Sequence, residues 1–215
     1  VGLTLAGLAC SSGESKVVSQ YFNALRANDQ ATLTSFATVA FDQKVDDWKV
    51  TKEGQEVRTP APLPELVKKQ KEVQARLDEH TKEARAWAND IKVYPDLDKV
   101  RTALSKGEKV PAGLKPVADR WETMQTEDRK LKKELAEAKA AVEREKRNVT
   151  MSIGDAPDIE TLTGEMISKD FDLELTIGGQ PRPYTMTMRR YDLKGSQGGG
   201  RMMSRWVIQN LAPTA

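Results

Sequence analysis

Residues 65–148 constrain this chain more than any other stretch, because their composition suits only one kind of backbone. They hold 21 Lys and Arg and 17 Asp and Glu. β-Branched residues are few, while Ala, Leu, Glu and Lys, which lose least on entering a helix, are abundant. Apolar residues return every seven positions. Leu66, Val73, His80 and Trp87 form one series and Gln70, Leu77, Ala84 and Ile91 its companion. Together they make a narrow seam along a helix of roughly 40 Å. Tyr94-Pro95 is expected to end that helix. A short helix from Leu97 to Leu104 follows, then a turn region at Gly107, Pro111, Gly113 and Pro116. The next helix, Pro116 to Arg147, carries Val117, Met124, Leu131 and Ala138 beside Leu114, Trp121, Asp128, Leu135 and Val142. Two helices of matched length with narrow seams predict an antiparallel hairpin. The remaining charge reads as solvation with i,i+4 pairs worth about 0.2–0.5 kcal/mol each.

The flanking segments follow another pattern. Val17, Val18, Tyr21, Phe22 and Leu25 recur at helical spacing, Asn28-Asp29 signals a turn, and Ala31, Leu33 and Phe36 give a second short helix. Val45 to Val57 reads as a strand that Glu53-Gly54 can turn. Thr59 to Pro64, with three prolines, is read as free of regular structure. After residue 148 the period becomes two. Phe171, Leu173, Leu175 and Ile177 alternate with polar residues, as do Tyr184, Met186 and Met188, with Gly178-Gly179-Gln180 between them. Arg201 to Leu211 is expected as the last strand, and Val149 to Ile153 and Glu160 to Ser168 as earlier ones. The predicted fold class is α+β, with an N-terminal helix packed on a curved antiparallel sheet and interrupted by the inserted hairpin. The expected divisions are an apolar segment 1–13, a discontinuous α+β domain of 14–60 and 149–215, and an insertion of 61–148.

Val17-Val18-Ser19-Gln20-Tyr21-Phe22-Asn23-Ala24-Leu25-Arg26-Ala27-Asn28-Asp29 is similar to the opening helix of nuclear-transport-factor-2-like domains, as in small bacterial lipoproteins. Arg205-Trp206-Val207-Ile208 is like their closing hairpin. The resemblance covers roughly 14–58 and 149–211 and implies a cone-shaped domain. Some members are isomerases or dehydratases that use Asp, His and Tyr in the cone pocket. Here Tyr21, Asp42, Asp46 and Asp47 fall in the shared part, but the single histidine, His80, lies in the insertion. No catalytic pairing carries over, so no catalytic residue and no cofactor is assigned.

The single cysteine, Cys10, follows the uncharged run Val1 to Ala9 and precedes Ser11-Ser12-Gly13. That transition resembles a bacterial lipoprotein signal and makes Cys10 the candidate lipid attachment. The expected location is the cell envelope, periplasmic or at the outer surface. The alternatives are an uncleaved anchor and a buried N-terminal segment. The run lacks an initiator Met and a basic start, so a longer precursor is expected.

Other features take plainer readings. His80 on the seam reads as a hydrogen-bonded interhelical histidine, and with no companion ligand nearby no metal is assigned. The glycine-rich loop 195–200 precedes a strand rather than a helix, which argues against phosphate binding. Lys130, Lys132, Lys133 and Lys139 bias the last helix towards positive charge, but interleaved acids and a net charge of +2 argue against nucleic acid. The expected function is a non-catalytic accessory or scaffold protein whose hairpin docks a protein partner or a larger membrane-bound assembly, with a second copy as one option. Trp87, Trp121, Lys132 and Lys139 are the candidate contacts, because tryptophan is enriched at interface hot spots. Packing inside the hairpin is the equal alternative for the two tryptophans. A ligand or enzyme site in the cone is the competing function.

Overall fold

The first helix, α1 (Gly13–Arg26), forms because Val18, Tyr21 and Phe22 give it one apolar face. These three side chains are at most 1% exposed. Asn28 takes a positive φ to reverse the chain. Asp29 then caps α2 (Gln30–Phe36), accepting from the Thr32 amide at 3.0 Å and its hydroxyl at 2.5 Å. Those bonds favour the carboxylate and hold Asp29 below the usual acid range. The structure is a computed structural model and describes residues 13–195, 202 and 204–214. Cys10 and positions 196–200 of the glycine-rich loop lie outside the described residues.

Among the described residues the class is α+β, with five α-helices and a five-stranded antiparallel sheet. The strands are β1 (Asp47–Glu53), β2 (Val57–Pro60), β3 (Thr163–Ile177), β4 (Gln180–Lys194) and β5 (Val207–Pro213). β3 and β4 form a 15-residue hairpin, β5 adds to β4, and β1 and β2 both pair with β3. Gly54 lies in the gap between β1 and β2. Its amide donates to the Asp170 carbonyl at 2.8 Å, and a Cβ there would come within 2.9 Å of the same oxygen. The residue is glycine because the strands approach too closely for a side chain.

The chain divides into two compact units, one of residues 1–64 and 145–215 and the other of 65–144. In the first, Phe171, Leu173, Leu175, Met186 and Met188 are at most 1% exposed and share one core with α1. Phe22 stacks on Trp48 with centroids 5.2 Å apart. Burial changes face along β4: Tyr184, Met186 and Met188 are buried at even positions, then Tyr191 and Leu193 at odd ones. On that second face the Tyr191 hydroxyl donates to Glu145 Oε1 at 2.7 Å. Ser152 and Arg205 exchange two further bonds, Ser152 Oγ to the Arg205 carbonyl at 2.7 Å and the Arg205 amide to the Ser152 carbonyl at 2.9 Å.

The second unit holds most of α3 (Leu63–Ala88), α4 (Tyr94–Ser105) and most of α5 (Lys115–Ile153). Val73, Leu77, Leu131 and Leu135 form its seam cluster. Arg76 pairs with Glu134 at 3.1 Å and His80 bonds to the Met124 carbonyl at 3.0 Å. Partners thus fall in number along α5 as they rise along α3, so the helices are antiparallel.

Several sequence readings are corrected. Val149 to Ile153 is not a strand but the end of α5, where Val149 and Ser152 are buried, so tertiary burial overrides the β-branched residues. Glu160 to Ser168 is not separate, because β3 runs unbroken from Thr163 to Ile177. Tyr94-Pro95 opens α4 rather than ending α3, since proline is tolerated where its missing amide would be unpaired anyway. Ile91 is therefore outside the seam and 86% exposed. Thr59 and Pro60 do belong to a strand, at the end of β2. The last strand is Val207–Pro213, with 204–206 outside it, while Arg201 and Met203 lie outside the described residues.

Candidate functional site

Each unit offers a different chemistry. In the α+β unit two of the carboxylates in the part shared with the resemblance, Asp46 and Asp47, are engaged in structural bonds. Asp46 Oδ2 accepts from the Gly179 amide at 3.2 Å, and Asp47 pairs with Arg26 at 3.1 Å. Tyr21 is buried, its hydroxyl has no hydrogen-bond partner among the described residues, and burial pushes its pKa up to about 12. It borders a cleft of about 190 Å³ between α2 and the following loop, with Leu33, Ala37, Val39 and Phe41. That is below the roughly 300–1,000 Å³ of ordinary small-molecule sites. A buried acid–hydroxyl pair, Glu145 with Tyr191, sits on the other face of the sheet. Asn148 Nδ2 donates to the second Glu145 oxygen at 3.2 Å. Burial first, and the Glu145 charge second, hold the Tyr191 phenol far above its ordinary range. A phenol kept protonated in this way braces the carboxylate as a hydrogen-bond donor. Among the described residues no three His, Cys, Asp or Glu side chains are gathered as a metal site.

The helical unit is built differently, because its seam is closed only in part. Leu131, Leu135, Ala138 and Val142 of α5 are buried, whereas His80, Ala84 and Trp87 of α3 and Trp121 and Met124 of α5 are half-buried. His80 Nε2 donates to the Met124 carbonyl, the interhelical bond its seam position suggested. Beyond it lies a cleft of about 350 Å³ with His80, Ala84, Arg85, Arg101, Trp121 and Met124 among its lining residues.

The two tryptophans do not stack on one another. Arg101 places its guanidinium carbon 4.3 Å from the Trp121 centroid, and Arg120 lies 5.2 Å from that of Trp87. A guanidinium over an indole contributes about 0.5–1 kcal/mol at an exposed site. Lys132 forms a 2.8 Å ion pair with Asp128, and Lys139 is exposed one to two turns further on. Heptad reasoning found the tryptophans but missed Arg101, because α4 brings it to the cleft from outside the two seams. Helical spacing within a single element carries no signal for such a contact.

No family model, curated protein or solved structure matches this chain.

Proposed function

We propose that this chain is a non-catalytic, lipid-anchored protein of the bacterial cell envelope, facing the periplasm or the outer surface. It acts as an accessory or scaffold subunit and docks a protein partner, or a larger membrane-bound assembly, through its helical hairpin. The observation that carries this reading is the contrast between the two units. The inner face of the sheet is spent on packing: Phe171, Leu173, Leu175, Met186 and Met188 are each at most 1% exposed. The hairpin instead leaves Trp87, Trp121 and Met124 half-buried along an open seam. Half-buried tryptophan beside arginine is the composition of interface hot spots. No described helix is long and apolar enough to cross a membrane; in this reading the anchor is the lipid proposed on Cys10.

A ligand site in the cone, of the isomerase or dehydratase kind, is the second reading. It is favoured by the unpartnered Tyr21 hydroxyl beside its small cleft. That cleft, at about 190 Å³, is small for such a ligand.

The test is site-specific photo-cross-linking in a bacterium expressing the full precursor. A photoreactive residue at Lys132 or Lys139 should trap one discrete partner, while one at Lys49 on β1 should not. Trapping from Lys49 alone would overturn the reading. Mass spectrometry of the same material should find an acylated N-terminal Cys10, and an unmodified peptide spanning Cys10 would remove the anchor.

A further inference from the structure

The cleft at the open end of the seam has a composition that says what fits it. Its floor is apolar, from Ala84, Met124 and the Trp121 ring, and three arginines line it: Arg85, Arg101 and Arg129. The one acid among its lining residues, Asp128, is neutralised by Lys132 at 2.8 Å. His80 is committed to the Met124 carbonyl, and Arg129 Nε donates to the Gln125 carbonyl at 3.2 Å. Arg101 is held against Trp121 at 4.3 Å. A cation–π contact engages the ring face and consumes none of the five N–H donors of a guanidinium. Among the described residues neither Arg101 nor Arg85 is ion-paired, although acids are plentiful on this hairpin.

Positive charge focused over an apolar floor calls for a carboxylate carried beside an apolar group. A guanidinium already fixed on an indole presents its fork at reduced entropic cost, which favours bidentate capture of a carboxylate. The cleft opens to solvent, with Arg85, Gln125 and Arg129 all exposed. A small molecule is normally enclosed over most of its surface. A side chain of a longer polypeptide needs no such enclosure, since the rest of its chain continues outside. We propose that this cleft receives an acidic segment of a protein partner, in which glutamate or aspartate stands next to leucine or an aromatic residue. The proposal rests on the docking role assigned to the hairpin above and names the chemistry of the partner at that site.

The test uses the full chain and a fluorescein-labelled octapeptide of alternating glutamate and leucine, followed by fluorescence anisotropy at low salt. A second peptide carries glutamine in place of glutamate. The acidic peptide should bind saturably and at least about tenfold more tightly than the glutamine peptide, the loss expected for a hydrogen bond to a charged group. Arg101→Gln and Arg85→Gln should each weaken it about tenfold. Lys68→Gln, towards the other end of the hairpin, should leave it unchanged. Among the described residues Arg85 has no side-chain hydrogen bond or ion pair to lose, so Arg85→Gln reports on the cleft even if Arg101→Gln perturbs the helices. Equal binding of the two peptides, no binding of the acidic one at millimolar concentration, or indifference to both arginine substitutions would overturn the proposal. If the cellular partner still binds Arg101→Gln and Arg85→Gln at full strength but is lost on charge reversal at Lys132 and Lys139, this cleft assignment falls while the docking role stands.

Discussion

Replacing Tyr191 by Phe should be the most costly conservative change on the second face of the sheet. Tyr191 is fully buried and Glu145 is 6% exposed, and they share a 2.7 Å hydrogen bond. Without the hydroxyl, Asn148 Nδ2 at 3.2 Å is the remaining donor from this buried group to the carboxylate. A hydrogen bond to a charged group is worth about 1.5–3 kcal/mol, and its loss leaves a buried charge short of a partner. We therefore expect Tyr191→Phe to cost about 2 kcal/mol. Glu145→Gln keeps an acceptor for the phenol and should cost about 1 kcal/mol. In the double variant the two effects should fall short of additive, because both report one bond. The assay is urea unfolding followed by tryptophan fluorescence in a Trp87→Phe, Trp121→Phe background. That leaves Trp48 and Trp206, both in the α+β unit, as reporters. With a slope near 2 kcal/mol per molar urea, the midpoint should fall by about 1 M at unchanged slope. A shift under about a quarter of that, or strict additivity in the double variant, would refute the assignment of the bond as stabilising.

Three further outcomes follow from the geometry. Tyr21 has its pKa raised from 10.0 to about 12 by burial, so its contribution to stability is intact below pH 10 and is lost as pH rises towards 12. Tyr21→Phe should be neutral at pH 7 and should flatten the decline in stability above pH 10, read from unfolding midpoints across that range. Gly164→Ala should destabilise by more than about 2 kcal/mol, because φ is +148° and a Cβ would lie 2.1 Å from the Asp192 carbonyl oxygen. Leu77→Ala removes a side chain from the seam cluster and should cost about 2–3 kcal/mol, seen as earlier loss of helical circular dichroism.

How much of this was legible in the sequence depends on whether the signal is local. The heptad series put Val73 and Leu77 on the seam of one helix and Leu131 and Leu135 on that of the other; that the four meet in one cluster is seen only in the structure. Period-two alternation gave the inner face of β3, and of β4 as far as Met188. It missed Tyr191 and Leu193, since the alternation changes sides where the end of α5 covers the opposite face. Val149 to Ile153 reads as strand by propensity and is helix by burial. Pro95 reads as a stop because proline marks both ends of helices; here it stands in the first turn of α4, where a helix loses no intrahelical bond to a missing amide. The cleft was half visible. Trp121 announced itself by type and spacing, whereas Arg101 arrives through a connector whose placement no periodicity encodes.

The central claim is that the hairpin, and not the α+β unit, carries partner binding, and affinity measured on three chains tests it directly. With the partner identified by cross-linking, isothermal titration should compare the intact chain, the Lys132→Glu, Lys139→Glu variant and a chain in which residues 65–144 are replaced by a short Gly/Ser linker. The account predicts binding by the intact chain, about tenfold weaker and less salt-sensitive binding by the charge-reversed one, and none by a linker variant that still melts cooperatively. Equal affinity of the partner for the intact chain and for the folded linker variant would contradict it and move the site to the α+β unit.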